Sequence, residues 1–564
     1  MKKKILPVII AIVLIMVIVG VAFGKQILDK YTYSKEVYDM TEYFENTSDS
    51  DIAIILQDTF MSERAVLEDG EYYLDMETVL SYFNSRFYYD ENEDLLIYTL
   101  PLDIITASPG SKTIDYLESS EELSYYPVTK NGDRILIAID YVKKYTNLSY
   151  EAFTDPGRLQ IYNEWNDRTV ATVKKDTQVR HRGGVKSPIL KEVSSGEKLI
   201  VLEQMEEWSK VKTNDAIIGF VENKRLTDVM PEMPIPVTDY EEPVYTDLCR
   251  DHKINMGWHV IAGVGGNDTL GSYTANAGSL NVIAPTWFSL TDNEGSYESF
   301  ASQDYVSKAH GMGLEVWAML DNVNHPEVET EAVLSHTGCR RELIRNVVAE
   351  ALSLGIDGIN VDFEMIPSSA GDDFSQFVRE LSVYCRANGL VLSIDNYVPM
   401  GGTGYYDRKT QGEVADYVVI MGYDEHYAGS GEAGSVASID YVESGIKMTL
   451  EEVPARKIIN GIPFYTRIWS TSGTDVSSQA VDMATAKQWL SNHALTPVWD
   501  EATCQNYAEY TDGGTINQCW LEDADSIRAK LSVMQANDLA GVAEWRLGFE
   551  APEIWAVIEE YINN

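Results

Sequence analysis

Between residues 246 and 564 the chain alternates short apolar runs with amphipathic helical segments. A typical helical segment, "CRRELIRNVVAEALSLG", places Leu343, Val347 and Ala351 on one face at a spacing of about one turn. Eight such strand–helix units predict an α/β fold, a (β/α)8 TIM barrel. The eight predicted strands are "NMGWHVIAGV", "LNVIAPTWF", "GLEVWAMLDN", "DGINVDFE", "GLVLSIDNY", "ADYVVIMGYDEHY", "KIINGIPFYTRIW" and "AGVAEWRLGF".

The fourth of these runs, "DGINVDFE", carries polar residues at every second position. With the period of two that strands have, Asn360, Asp362 and Glu364 are predicted to line the barrel interior, while the apolar residues between them pack outward. Polar residues at the carboxyl ends of barrel strands are the usual catalytic candidates. A purely structural polar ladder is the alternative interpretation.

Two buried carboxylates on one strand are costly unless they bond one another or serve chemistry. Their mutual repulsion disfavours simultaneous ionisation, so that one of them can stay protonated near neutral pH. The pattern therefore predicts that Asp362 and Glu364 form an acid–base site in which one group serves as general acid.

The order of residues in "DGINVDFE" resembles the strand-four signature of glycoside hydrolase family 18. The likeness extends over residues 246–564 and includes "NVIAPTWF", "MGYDEHY", "GIPFYTRIW" and "GVAEWRLGFE". Within the family, this set is most similar to the bacterial spore-cortex and cell-wall N-acetylglucosaminidases. The resemblance implies that residues 470–525 are an insertion between strands seven and eight.

The resemblance implies a retaining, substrate-assisted mechanism, in which the substrate's 2-acetamido group is the nucleophile. Glu364 is expected to protonate the glycosidic oxygen and later to activate water. Asp362 is expected to orient the acetamido group and stabilise the oxazolinium ion. Asn360 stands where many chitinases have a third acid, so that we expect a weaker proton relay from Asp362.

Other family positions match single residues at predicted strand ends. Tyr423 in "MGYDEHY" matches the tyrosine that hydrogen-bonds the acetamido carbonyl, and Asp424 beside it is a sugar-hydroxyl candidate. Trp545 in "AEWRLG" matches the aromatic floor under the reacting sugar, where a flat indole suits a pyranose face. Further candidates for substrate binding or packing are Trp287, Trp317, Tyr465 and Arg467.

The amino terminus has three lysines followed by an apolar run, residues 5–23. This run is long enough to cross most of a hydrocarbon core of about 30 Å, and the positive flank keeps the amino terminus in the cytoplasm. We expect residues 1–24 to be an uncleaved membrane anchor, with a cleaved signal as the alternative. Either way, the remaining chain is expected outside the cytoplasm, in the cell-wall space.

Three segments precede the predicted barrel. Residues 25–51 are polar and suit a stalk, and residues 52–163 read as a small α+β domain that resembles the amino-terminal domain of copper amine oxidases, without its copper association. Residues 168–229 have short strand-sized runs that predict a small all-β barrel, and residues 230–245 form a Pro/Glu linker.

The run "EEWSKVKT" and the run "IGFVENKRL" resemble the bacterial Src-homology-3-like domain of cell-wall proteins. The resemblance implies peptidoglycan binding by residues 168–229. For Trp208, a core position in the small barrel is the alternative to direct ligand contact. This segment has 12 Lys and Arg against 9 Asp and Glu, a net charge of +3.

The amino-acid composition limits the classes of partner and cofactor that the chain can bind. The chain has 44 Lys and Arg and 88 Asp and Glu, a net charge of −44, which disfavours nucleic-acid binding. Five scattered cysteines without a CxxC spacing predict neither a structural zinc site nor a disulfide scaffold. Cys504 and Cys519 flank a predicted hairpin at Asp512-Gly513, so that a disulfide and two free thiols both remain open.

The sequence therefore predicts a membrane-anchored extracellular glycosidase that hydrolyses β-1,4 bonds of N-acetylglucosamine in peptidoglycan. A chitinase or an N-glycan endo-β-N-acetylglucosaminidase of the same family is the alternative within the enzyme class. A catalytically silent wall lectin is the alternative of another class. We expect a monomer without cofactor or metal.

Overall fold

A computed structural model describes residues 5–236 and 238–563. The chain forms two compact units. The first takes residues up to 87, 107–114 and 121–242, and the second takes residues 88–106, 115–120 and those from 243 onward. The segment 52–163, expected to be one small domain, thus contributes residues to both units.

The second unit contains a closed barrel of eight parallel strands, because each strand pairs with two neighbours and the first strand pairs with both the second and the eighth. The prediction of a TIM barrel is confirmed. Its strands are Ile254–His259, Val282–Leu290, Glu315–Asp321, Gly358–Asp362, Val391–Tyr397, Tyr417–Met421, Ile458–Pro463 and Gly541–Trp545, called barrel strands one to eight below.

Helices cover the outside of the barrel and bury its apolar core. Phe363 on the outward side of barrel strand four stacks on Phe377 of a helix, with ring centroids 5.4 Å apart. The α-helices of this unit outside the insertion are Leu270–Tyr273, Gln303–Gly311, Thr330–Ser335, Thr337–Leu354, Gly371–Asn388, Arg408–Val414, Ile439–Leu450, Ala524–Ala536 and Ile554–Ile562; a short strand, Tyr297–Ser299, pairs with barrel strand two.

An antiparallel sheet with one helix is inserted between barrel strands seven and eight. The run "KIINGIPFYTRIW", predicted as one strand, is divided at Phe464, and the insertion therefore begins at Tyr465 rather than at residue 470. Its strands are Tyr465–Ser472, Asp475–Asp482, Val498–Asp500, Gln505–Asp512 and Thr515–Leu521, and its helix is Met483–Asn492.

The predicted hairpin is present, but it does not bring the two cysteines together. Asp512 pairs with Thr515, and the register places Cys519 opposite Ala508. Cys504 precedes the strand, and both cysteines are free thiols. The disulfide alternative is therefore wrong, since the two-residue turn fixes a register in which Cys504 and Cys519 are not cross-strand neighbours.

Residues 88–106 pack on two barrel helices within the second unit. Tyr88, Ile97 and Ile104 form an apolar cluster with Val383. The Tyr88 hydroxyl donates to Asp373 at 2.6 Å across 285 residues of sequence. The strands in and around this segment are Phe87–Asp90, Leu95–Leu100, Asp103–Ala107, Thr113–Asp115 and Ser120–Glu122.

The first unit contains two seven-stranded sheets and four helices. The mixed sheet has strands Asp51–Leu56, Thr59–Glu68, Glu71–Asp75, Val128–Asn131, Arg134–Ala138, Ser149–Phe153 and Arg158–Tyr162. The antiparallel sheet has strands Arg168–Val173, Thr177–Arg180, Ile189–Val193, Lys198–Gln204, Trp208–Lys212, Ile218–Glu222 and Leu226–Glu232. The helices are Ile5–Tyr31, Met40–Tyr43, Met76–Tyr82 and Ile139–Lys144.

In the antiparallel sheet, Val211 and Val221 lie in a buried apolar cluster, and Trp208 is half-buried at the start of its strand. The sequence assigned residues 25–51 to a stalk, but the first helix runs on to Tyr31 and Phe44 is 2% exposed in an apolar cluster. This part of the chain is packed because its aromatic residues find apolar partners within the first unit.

Candidate active site

The carboxyl ends of the barrel strands surround a cavity of about 190 Å³. Cavities at this face of a barrel are where its catalytic groups converge. Four of its lining residues, Asp362, Glu364, Asp424 and Asp395, are acidic, and the rest are aromatic or methionine side chains. The complete lining is Trp258, Met319, Asp362, Glu364, Asp395, Tyr397, Met421, Tyr423, Asp424 and Trp545.

Asn360 lies fully buried inside the barrel, as the alternation of barrel strand four predicts. Its side-chain oxygen accepts a hydrogen bond from Trp258 Nε1 at 3.0 Å, and its amide nitrogen donates to Ser393 Oγ at 3.0 Å and to Asp395 Oδ1 at 2.7 Å. Asn360 thus links Trp258 and Asp395 by hydrogen bonds below the cavity, and it does not line the cavity itself.

Asp362 follows on the same interior face and lines the cavity. Its side chain is 5% exposed overall, and Oδ1 is buried without a hydrogen-bond partner among the described residues. Burial raises the pKa of Asp362 well above its usual value, and the nearby charges of Asp395, Glu364 and Asp321 raise it further. These surroundings shift the ionisation of Asp362 toward its protonated form.

Glu364 stands just beyond the end of barrel strand four. Tyr397 donates its hydroxyl to Glu364 Oε2 at 2.7 Å, and Asn322 holds the Glu364 backbone by bonding its N–H at 2.8 Å and its carbonyl at 2.9 Å. Burial raises the pKa of Glu364, the Tyr397 bond opposes this, and Asp424 and Asp321 add to the rise. Glu364 is thus a carboxyl held in place by hydrogen bonds, with a pKa above its usual value.

The next residue, Met365, has a positive φ of 51°, and Asp424 after barrel strand six has one of 60°. Non-glycine residues rarely take this left-handed conformation, and they persist in it where surrounding contacts enforce it. Here the two positions follow barrel strands four and six, each directly after a cavity residue, Glu364 and Tyr423.

Tyr423 lines the cavity and is 9% exposed. Gly461 on barrel strand seven makes room for it, since a Cβ at that position would meet the Tyr423 ring at 3.1 Å. Asp424 accepts a hydrogen bond from the Tyr465 hydroxyl. Tyr465 does not line the cavity; it fixes Asp424 from the first strand of the insertion.

Trp545 lines the cavity at the end of barrel strand eight and meets Trp258 edge to face, with ring centroids 5.8 Å apart. Half-buried, it presents an indole surface beside the acids. Of the sequence candidates, the structure therefore brings Asp362, Glu364, Tyr423, Asp424 and Trp545 to one cavity, with Asn360 and Tyr465 in supporting contact.

The remaining candidates lie elsewhere. Trp287 is fully buried, and its Nε1 donates to Asn267 at 2.9 Å. Trp317 is fully buried near the amino end of barrel strand three, where it stacks on Tyr417. Arg467 donates to Ser478 within the insertion sheet. Trp287, predicted to bind substrate, does not line the cavity. Barrel strand two continues to Leu290, so that Trp287 does not stand at its end.

Sequence reasoning missed five cavity residues on other strands: Trp258, Met319, Asp395, Tyr397 and Met421. Asp395 and Tyr397 stand in the predicted fifth strand, "GLVLSIDNY", two residues apart, and the same period of two that was applied to strand four places them on one face. The alternation that places Asp395 and Tyr397 on one face could be read from the sequence. The register that places them beside barrel strand four could not.

The arrangement places two carboxyls with raised pKa values, an aromatic wall and a tyrosine hydroxyl around a small cavity. It can donate a proton to a bound oxygen and stabilise positive charge on a sugar ring. Among the described residues, no three His, Cys, Asp or Glu side chains are grouped to hold a metal ion. A proton donor and an aromatic surface at the carboxyl face of a barrel suit the hydrolysis of glycosidic bonds.

Comparison with known proteins finds a family model that matches part of the barrel unit. Residues 290–550 match the model of Glycosyl hydrolases family 18.

Known relatives share the barrel region. The chain is 31% identical to the glycosylase YdhD of Bacillus subtilis and 28% identical to the cortical fragment-lytic enzyme of the same organism, over 41% of this chain in each case. It spans 57% and 56% of the length of these two relatives. The spore cortex-lytic enzyme SleL of Bacillus cereus has a similar fold, with a TM-score of 0.51 and 20% identity over 58% of this chain and 79% of that one.

Proposed function

We propose that the protein is a retaining glycosidase that cleaves β-1,4 bonds beside N-acetylglucosamine in peptidoglycan. The observation that carries the proposal is the placement of Glu364 and Asp362 on one cavity, each with a raised pKa, next to Tyr423 and Trp545.

In this proposal, Glu364 donates its proton to the glycosidic oxygen as the bond to the anomeric carbon breaks. The substrate's own acetamido oxygen closes onto that carbon, and Asp362 faces the resulting cation. Tyr423 donates its hydroxyl to the acetamido carbonyl. Glu364, now ionised, takes a proton from water, which opens the intermediate with retention at the anomeric carbon.

Trp545 supports a pyranose substrate, because an indole face packs well on the C–H face of a sugar ring. Asp424, held by Tyr465, is placed to accept from a sugar hydroxyl. Peptidoglycan is proposed as the substrate because two relatives are named for cortex lysis, and because the segment 168–229 carries a net positive charge that suits an anionic polymer.

The substrate proposal is tested by giving the full chain purified peptidoglycan, chitin oligomers and a high-mannose glycopeptide at matched N-acetylglucosamine content. We expect reducing ends only or mainly from peptidoglycan, with N-acetylglucosamine at the new reducing end in mass spectra of the fragments. Preferential cleavage of chitin oligomers or of the glycopeptide would replace peptidoglycan by that substrate. Binding to the wall without release from any of the three would favour the lectin.

We further propose that the first helix anchors the protein in the membrane with the barrel outside the cytoplasm. The helical stretch Pro7–Tyr31 contains an 18-residue window with a mean hydropathy of 3.0 and no buried residue, and by length and composition it is able to cross a bilayer. The full chain is expected to stay with membranes in alkaline carbonate and to be released by detergent. An amino terminus found just after Gly24 would instead identify a cleaved signal.

A further inference from the structure

Barrel strand five brings a third buried acid beside the two carboxyls of barrel strand four. In the parallel ladder Asn360 stands opposite Ser393 and Val361 opposite Ile394. Continuing this register by one residue places Asp362 beside Asp395, on strands that lie about 4.8 Å apart. Asp362 and Asp395 both line the cavity.

Each of these two carboxyls has one buried oxygen without a hydrogen-bond donor among the described residues. Asp395 Oδ1 accepts from Asn360 at 2.7 Å, but Asp395 Oδ2 and Asp362 Oδ1 are buried without hydrogen-bond partners among the described residues. Unpaired buried oxygens destabilise the fold, and two adjacent buried charges destabilise it more. One proton held by the pair supplies a donor and removes one of the two charges.

We propose that Asp395 is the proton partner of Asp362 during the reaction. When positive charge develops on the substrate, the O–H bond on Asp362 breaks and an O–H bond on Asp395 forms. The negative charge thereby moves from Asp395 to Asp362, next to the cation, while the pair keeps one proton throughout. This inference rests on the proposed function, because the cation arises only when the glycosidic bond is cleaved.

Asp395 thus supplies, from the neighbouring strand, the acid that barrel strand four lacks at Asn360. The Asn360 amide cannot ionise, but it fixes Asp395 by its 2.7 Å bond while Trp258 holds the amide oxygen. Asn360 therefore orients the relay instead of weakening it. Because Asp395 acts through Asp362, it is a positioning residue.

The electrostatic surroundings favour a single shared proton. Burial raises the pKa of Asp395 to about 8, against the hydrogen bond from Asn360 that lowers it. None of the ionisable side chains that act on the pair carries positive charge; they are Glu364, Asp321, Tyr423 and Tyr406. Once Asp395 is ionised, its charge holds the remaining proton on Asp362, and the pair then carries one proton and one negative charge.

The first test is Asp395→Asn, which keeps the side-chain shape and removes the charge. We expect kcat to fall about 10- to 100-fold, with KM changed less than about twofold, since the substrate-binding surface stays. The negative charge that raises the pKa of Asp362 is then gone, so that the basic limb of the kcat profile moves to lower pH. Ser393→Ala, which removes a bond to Asn360 but no charge, should leave that limb in place.

The second test exchanges the two side chains in the double variant Asn360→Asp and Asp395→Asn. The acid and the amide change places, and their mutual hydrogen bond is retained in the opposite direction. We expect the double variant to recover at least tenfold of the lost kcat and to restore the basic limb.

Three results would overturn the proposal. They are an Asp395→Asn enzyme with the original kcat and pH profile, a loss of rate without any change in the profile, and a double variant no better than the single one. Failure of the proposed function is recognised separately, because in that case the unaltered chain releases no reducing ends from any glycan, or Glu364→Gln retains the full rate, and both proposals fall.

Discussion

Glu364→Gln is expected to lower the rate of glycan hydrolysis by about 10²–10⁴-fold, because the amide has no proton to give to the leaving oxygen. Tyr397 and Asn322 hold the residue through contacts that the amide largely keeps, and binding of the substrate should change little. The measurement is the release of reducing ends from purified peptidoglycan, together with the melting temperature of the variant.

A matched control and a pH profile sharpen this result. Glu413→Gln removes an exposed carboxyl on a barrel helix and should leave the rate unchanged. Since burial raises the pKa of Glu364, the unaltered enzyme should lose kcat/KM as the pH rises through that pKa and Glu364 ionises. Hydrolysis by Glu364→Gln at the original rate would rule out Glu364 as the acid.

The second large effect is expected on stability, from Arg340→Met. Arg340 and Glu380 are both fully buried and joined at 3.0 Å, and Arg340 also donates to the Leu334 carbonyl and to Thr337. Removing the guanidinium leaves the Glu380 charge buried without its cationic partner, while the Gln376 amide still donates to it. We expect a loss of about 3–5 kcal/mol in the free energy of unfolding of the barrel unit.

Calorimetry of the barrel transition measures this loss, and two further variants identify its cause. Lys447→Met breaks a helix-surface ion pair with Glu443 whose side chains are 62% and 41% exposed, and should cost less than about 1 kcal/mol. Adding Glu380→Leu to Arg340→Met removes the orphaned charge and should recover part of the stability. A loss from Arg340→Met no larger than that from Lys447→Met would contradict the assignment.

Much of the barrel could be predicted because its strands are short apolar runs separated by amphipathic helices, and local pattern carries that information. The division at Phe464 could not, because "PFYTRIW" continues the apolar pattern while the chain leaves the barrel for an antiparallel sheet. That residues 88–106 belong to the second unit could not be predicted from local sequence either. The hydrogen-bond partners of Tyr88 and Asp90 lie 285 and 247 positions away.

The part of the site that lies on a single strand could be predicted from the sequence. Alternation along barrel strand four placed Asp362 and Glu364 on the interior face, and the structure has them on one cavity. Asp395 was missed because its importance depends on the register between two strands, which only the closed barrel determines. Trp287 was misassigned because an aromatic residue at the end of an apolar run looks the same whether it faces a cavity or a helix.

The packing of residues 88–106 on the barrel helices bears on how the protein is made. These residues leave the ribosome long before their partners on the barrel helices do. Asp90 accepts a hydrogen bond from Thr337, and Tyr88 donates one to Asp373. Contacts of such sequence separation are slow to form, and the apolar face of Ile97 and Ile104 stays uncovered in the meantime. During synthesis we therefore expect a period in which this apolar face is exposed and the nascent chain is prone to aggregate. A gene fragment beginning at residue 243 would encode a barrel whose helices lack the packing of residues 88–106.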